Sequence, residues 1–324
     1  MSQFDQLQVR KVGLPPLLCY RMMNIRSASF IFSVLLLFLL GGSAHSQQSA
    51  DANFDARVEN PAFTKNFPRV LFDEAHNNAE SSHSRYKPFA DLLFNDGYHL
   101  VVNRQPFTRG SLESFKILVI VNPLGAEDVD DEGADGPAFT AAECDALTDW
   151  VREGGALLFV VDQAPFASAA EILATRLGVE MSKTETLDPA NAQKDRATGV
   201  ILYSRENRML SEHSITNGRS QAERVNRVMV FRGQSLKGPS GTEILLKLPD
   251  SVEEKSPAVK GNAGRAQGIA FRPGKGRLVM FGDAAMLSAQ VSGSDNKPFG
   301  MNVGEIDNRQ LVLNVMHWLS GLLK

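Results

Sequence analysis

Short, unbroken apolar runs alternate with amphipathic stretches through the first half of the chain. Residues 69–73 (RVLFD), 98–103 (YHLVVN), 116–123 (KILVIVNP) and 156–162 (ALLFVVD) predict strands. The third is apolar at consecutive positions, as a strand buried on both faces must be. Between them, residues 86–97 place Phe89, Leu92 and Leu93 at helical spacing, with Gly97 as the stop. Residues 139–155 predict a helix with legible ends: Thr140 and Glu143 form a capping box, and Gly154 and Gly155 terminate it. Residues 165–178 predict a further helix, opened by Pro165 and stopped at Gly178. Strands alternating with helices of about ten to fifteen residues make βαβ units with right-handed crossovers.

From residue 180 the pattern changes. Short β-like pieces (GVILYS, RVMVFRG, TEILLKL) lie among Arg, Asn, Gly and Ser, so residues 181–262 read as a β-rich insertion with antiparallel strands. Residues 266–283 then predict two strands joined by the turn Pro273 to Gly276. Residues 307–323 predict a closing helix with Leu311, Val315, Trp318 and Leu322 on one face and Asp307 with Gln310 as a capping pair. The expected fold is α/β, three-layered and flavodoxin-like, with a mostly parallel sheet running from residue 69 to 324 as a single domain.

The N-terminus is set apart from this pattern. Residues 30–40 (FIFSVLLLFLL) follow Arg21 and Arg26 and precede GGSAHSQQ, where Ala44 and Ser46 occupy the small-residue positions of a signal peptidase site. The apolar run is too short for a membrane span. Residues 1–46 are therefore expected to be a signal peptide, with Met23 the more usual start than Met1, and the mature protein to begin at Gln47 without a membrane span. Residues 47–68 read as a linker. An exported protein, periplasmic or extracellular, is the expectation. Cys19 leaves with the signal, so Cys144 stands alone and no disulfide framework exists within the chain. Composition is ordinary for a folded protein, with 43% hydrophobic and 22% charged residues, and a net charge of −3 argues against nucleic acid as a partner.

Candidate chemistry gathers where predicted strands end. The run VLFDEAHNN turns abruptly from apolar residues to Asp73, Glu74, His76, Asn77 and Asn78. Asp162 and Asp283 close two other strands, and the carboxyl ends of parallel strands share one edge where ligands bind. Asp73, His76, Asp162 and Asp283 could thus line one cleft, with Arg85 on the adjoining loop. Oxygen ligands with one imidazole suit a divalent metal. The plainer reading of each Asp alone is a helix cap or turn. Between residues 205 and 232 six arginines stand against three glutamates, which reads either as an anion-binding face or as local ion pairs. The loop DVDDEGADG (residues 128–136) lacks the Glu that an EF-hand needs at its twelfth position and reads as an acidic loop. Cys144 lies on the apolar side of its helix, with Leu147 and Val151, and reads as a buried thiol.

DEAHNN, WVREGGALLFVVD, ERVNRVMVFRGQSL, GRAQGIA, GKGRLVMFGDAAMLSAQ and DNRQLVLNVMHWLSGLL together resemble a family of secreted bacterial proteins of unknown function, whose domain is similar to class I glutamine amidotransferases. The resemblance covers residues 69–323 and implies the amidotransferase-like fold. It does not imply the activity, because those enzymes present a Cys on a tight strand-to-helix turn, whereas Cys144 sits within a helix and no such elbow exists. Non-enzymatic versions of that fold, such as those in intraflagellar transport proteins and some β-galactosidases, are binding or assembly modules. Two functions follow as expectations. One is a module holding a polar small molecule or glycan at Asp73, Glu74, His76, Asn77, Arg85, Asp162 and Asp283. The other is a metal-assisted hydrolase with Asp73, His76, Asp162 and Asp283 as ligands and Glu74 as the catalytic base.

Overall fold

The computed structural model describes residues 48–191, 196, 199–255, 264–293 and 296–324. The expected signal peptide lies outside the described residues. Strand β1 (Ser49–Ala50) is followed by β2 (Arg69–Asp73), helix α1 (Lys87–Asn95), β3 (His99–Asn103), α2 (Arg109–Leu112) and β4 (Ile117–Val121). Then come α3 (Ala141–Glu153), β5 (Ala156–Val160), α4 (Phe166–Ala169), α5 (Glu171–Arg176), β6 (Glu180–Leu187) and β7 (Val200–Ser204). The chain continues through α6 (Ser214–Asn217), β8 (Arg227–Phe231), β9 (Gln234–Lys237), β10 (Glu243–Lys247) and β11 (Glu253–Glu254). It closes with β12 (Ala266–Phe271), β13 (Arg277–Phe281), β14 (Ala289–Ser292), β15 (Lys297–Gly300) and α7 (Asn308–Leu319).

The strands form an α/β fold around a ten-stranded mixed sheet, ordered β11-β6-β9-β12-β13-β5-β4-β2-β3, with β10 on β12. Five neighbouring strands, from β3 to β13, are parallel. The expectation of a mostly parallel sheet is corrected here. The turn at Pro273 to Gly276 reverses the chain between β12 and β13, and every pairing beyond it is antiparallel. Strands β6, β9, β10 and β11 of residues 181–262 extend the sheet itself, while β7 and β8 pair separately.

Strand β4 shows why its sequence is uniformly apolar. Ile117, Val119 and Val121 face a core shared with Phe72, Phe89, Leu311 and Trp318, whereas Leu118 and Ile120 face Cys144, Leu147 and Val151. All five residues of β4 are fully buried. Each such side chain contributes about 1.5–3 kcal/mol through burial. Helix α3 begins with the expected capping box and ends at Gly154, whose φ of 127° is open to glycine and strained for other residues. Cys144 is buried.

Three local readings change. The single helix expected over 165–178 is two short helices, because the Ala169 carbonyl accepts from Ala138 N (3.0 Å). In α7, Asp307 makes no cap; its carboxylate accepts from Asn226 N (2.7 Å) and Arg227 N (3.0 Å). Gln310 donates instead to Asn314 (2.9 Å). The segment from 48 to 68, expected as a linker, is tied to the domain. Strand β1 pairs with β14, Phe54 and Phe63 pack on the core, and Ala62 N donates to Asp96 Oδ1 (2.8 Å). A Cβ on Gly97 would lie 1.8 Å from the Phe63 carbonyl oxygen, so only glycine lets this segment approach. Among the described residues no helix is long and apolar enough to cross a membrane.

Candidate functional site

Because β2, β4, β5 and β13 are parallel and in register, Asp73, Asp162 and Asp283 leave the same edge of the sheet. They do not form one group. The end of β4 runs between two clusters: Leu124 N donates to the His76 carbonyl (3.0 Å) on one side, and Asn122 joins Asp162 on the other.

The first cluster is Asp73, His76, Glu143 and Asn103. The fourth residue of the stretch Asp73 to His76 returns its imidazole to the strand-end carboxylate, with Nδ1 2.8 Å from Asp73 Oδ2. Nε2 lies 2.9 Å from Glu143 Oε1. The ring is held between Phe107 and Phe139, with centroids 4.7 and 4.5 Å away, and His76 is only 7% exposed. Asp73 Oδ1 also accepts from Asn103 Nδ2 (3.0 Å). Glu143 accepts from Phe107 N (3.0 Å) and from Thr140 N (2.9 Å) and Oγ1 (2.7 Å). Acceptors at both ends call for a ring that donates from both nitrogens, which is the imidazolium. Electrostatics agree. Burial opposes the charge on His76, but the bonds and fields of Asp73 and Glu143 outweigh it and raise its pKa above the usual value. Burial also opposes ionisation of Glu143, yet His76 and Thr140 bring its carboxyl down to about 2. The cluster ties the loop after β2 to the first turn of α3.

The second cluster is Glu80, Arg85, Asp162 and Asp283. Asp162 accepts from Asn122 Nδ2 (2.8 Å) and Ala284 N (2.7 Å). Asp283 accepts from Phe231 N (2.6 Å) and Ala285 N (3.0 Å), so both carboxylates hold the same loop after β13. Burial, and then the charge of Asp162, push Asp283 well above the ordinary carboxylate range. Burial raises Asp162 too, against its bonds to Asn122 and Ala284. Glu80 is 4% exposed; its Oε1 is 3.0 Å from the Arg85 guanidinium, while its Oε2 is buried with no partner among the described residues. Burial moves its carboxyl up to about 8, with Asp162 adding to the rise and Arg85 opposing it. The buried Oε1 of Gln163, next to Asp162 in the chain, also lacks a partner there.

Of the remaining candidates, the Glu74 side chain bonds elsewhere. Glu74 accepts from Ser82 N (2.9 Å) and Oγ (2.7 Å), with His83 and Arg104 beside it. Asn77 is exposed at a left-handed turn position with φ of 47°. The expected metal set of Asp73, His76, Asp162 and Asp283 is therefore corrected. Both imidazole nitrogens are taken by carboxylates, the four residues split between clusters, and no group of three or more His, Cys, Asp or Glu among the described residues is placed to hold a metal. The Glu74 carboxylate bonds to Ser82, while its backbone N donates to the Asn103 carbonyl of the first cluster (3.0 Å). The arginines of residues 205–232 largely meet carboxylates: Arg205 and Arg224 pair with Glu212, Arg219 with Glu223, and Arg232 with Glu185.

Sequence reasoning missed Glu143, Asn103, Glu80 and Asn122. Glu143 carried a signal, its capping box, but that accounts for one carboxylate oxygen only; the other reaches back 67 residues to His76.

No family model matches the chain, and no curated protein matches it. Among solved structures, the mmIFT52 N-terminal domain is 15% identical, with 78% of this chain covering 97% of that one at a TM-score of 0.56. A putative ThuA-like protein from Bacteroides uniformis is 14% identical over 83% of this chain and 94% of that one, with a TM-score of 0.44. A putative GMP synthase protein from Thermoplasma acidophilum is 10% identical over 79% and 96%, with a TM-score of 0.41. The first of these shows a shared fold, and nothing about activity.

Proposed function

We propose that the chain is an exported, non-catalytic α/β module that binds a polar ligand, a sugar or other cell-envelope component, at the strand-end edge beside Arg85. The observation that carries this reading is Glu80. A buried carboxyl with one oxygen on Arg85 and the other without a partner among the described residues has hydrogen-bonding capacity unspent, and such groups are costly unless something satisfies them. Gln163 adds an acceptor unspent among the described residues, and Arg85, whose side chain is a third exposed, reaches solvent. A neutral acid, an amide and a guanidinium suit hydroxyl groups.

Support for a non-catalytic role comes from the first cluster and from the thiol. His76 has no free nitrogen, and Cys144 lies buried within α3 instead of at a turn. We read the fold as three-layered and flavodoxin-like, with residues 181–262 inserted. The parallel strand order β3-β2-β4-β5-β13 and the apolar contacts on both faces support this. Export rests on the sequence of residues 1–46.

Two experiments test the proposal. Thermal-shift titration with neutral sugars, N-acetylglucosamine among them, should raise the melting temperature of the protein and not that of Glu80→Ala. Equal shifts in both, or none at any concentration, contradict the site. N-terminal sequencing of the exported product should read from Gln47; an intact Met1 or Met23 contradicts cleavage there.

A further inference from the structure

A cavity lies near the start of β3, where Asp96 leads towards that strand. Its volume is about 610 Å³, and it opens between residues 55–60, the end of α1, residues 219–223 and the exposed side of α7. That volume falls within the usual range for small-molecule sites and exceeds what a single small ion needs.

Most charges lining it are already paired. Arg57 meets Asp55, Arg219 meets Glu223, and buried His317 places Nε2 2.7 Å from Asp96 Oδ2. Glu59 makes no ion pair among the described residues, and two donor or acceptor groups keep capacity unused: the Arg309 guanidinium and the second ring nitrogen of His317. Arg309 bonds to the Arg57 carbonyl, and among the described residues no carboxylate forms an ion pair with it. Partial burial draws its pKa down, against the more distant charges of Asp55, Asp96 and Glu59. His317 is 1% exposed and lines the cavity, and its Nδ1 has no partner among the described residues.

We infer that this cavity binds a sugar acid, its carboxylate on the Arg309 guanidinium and a hydroxyl or carboxylate oxygen on His317 Nδ1. The guanidinium fork matches a planar carboxylate. Nδ1 accepts from a hydroxyl when the ring is neutral and donates to an oxygen when it is charged, so a hydroxylated anion satisfies it in either state. The lining carries Asp55, Glu59, Asp96 and Glu223 against three arginines, so a single carboxylate on Arg309 is repelled less than a phosphate dianion or a polyanion would be. Val58 and Leu313 offer an apolar patch for the C–H face of a sugar ring. The inference stands apart from the strand-end proposal and shares no residue with it.

Calorimetric titration of the protein with glucuronate, glucose and inorganic phosphate tests it. Glucuronate should bind at least tenfold more tightly than either of the others, and Arg309→Gln should weaken it at least tenfold. Arg309→Lys, which keeps the charge and loses the fork, should fall between. Glu80→Gln should bind glucuronate like the unaltered protein, which separates this site from the strand-end one. In ¹⁵N spectra of histidine-labelled protein, the His317 Nδ1 resonance should move with glucuronate and stay fixed with glucose, a readout that needs no variant. Equal affinity for glucose or phosphate, glucuronate binding unchanged in both Arg309 variants, or a fixed His317 resonance at saturating glucuronate overturns the inference.

Discussion

The two polar clusters at the strand ends are built from the same residue types on neighbouring loops, yet one is closed and the other is not. Around His76 each acceptor oxygen of Asp73 and Glu143 meets a donor, and one cation stands between two carboxylates. Around Glu80 the carboxyls of Glu80, Asp162 and Asp283 crowd one another, a partly exposed arginine pairs with Glu80 alone, and one Glu80 oxygen has no partner among the described residues. The difference separates a strut from the proposed ligand site. A satisfied buried cluster fixes loops in place and has nothing left to offer a ligand, whereas an unsatisfied one carries a cost that binding can relieve. A catalytic reading of the Asp and His residues at a strand end thus has to be checked against what each nitrogen and oxygen already holds.

The strongest way to break the contrast is His76→Ala. It leaves Asp73 and Glu143 as uncompensated buried carboxylates and should cost about 3–5 kcal/mol in urea unfolding. A loss under about 1 kcal/mol would mean the cluster is no strut.

Next comes its pH profile. Glu143 is lowered from 4.5 to about 2, so its contribution is present above 4.5 and is lost as pH falls towards 2. His76 is raised above 6.5, so its contribution is present below 6.5 and is lost as pH rises through the folded value. The urea midpoint should therefore fall on both sides, and in Glu143→Gln the acid limb should flatten.

Glu80 gives the opposite slope. The folded chain keeps a proton up to about 8 that the unfolded chain releases near 4.5, so stability is lost as pH rises between those values. Glu80→Gln cannot ionise; it should match the unaltered protein at pH 4.5 and exceed it by about 1–3 kcal/mol above pH 8. A Glu80→Gln variant that is less stable at high pH would show Arg85 fully compensating the carboxylate. Smallest of all, Arg104→Ala removes a long contact of 3.4 Å from a side chain 68% exposed. It should change stability by less than about 0.5 kcal/mol.

The fold was legible where physics is local. Apolar runs and helical spacing located β2, α1, β3, β4, α3 and β5, because a strand buried on both faces and a helix buried on one leave different periods. The capping box at Thr140 and the stops at Gly97 and Gly154 are local too. The pairing of β6, β9 and β10 with the main sheet was not legible, since edge antiparallel strands with mixed faces carry no signal of their partner. In the site, Asp73 and His76 were found because they lie three residues apart. Glu143, Asn103 and Asn122 arrive from distant strands and helices, and Glu80 is one acidic residue in a polar loop until burial gives it a role. The single shared cleft failed for the same reason: strand order fixes the common edge, but only side-chain direction decides which acids meet.

The most direct test of the account is the protonation of His76, read from its ring nitrogens by ¹⁵N NMR at pH 7. The ring should be an imidazolium with both nitrogens protonated, persisting above the ordinary histidine range and lost in Glu143→Gln before it is lost in the unaltered protein. A neutral ring at pH 7, with one unprotonated nitrogen, would contradict it, and would return His76 to the list of groups free to act as a base or bind a ligand.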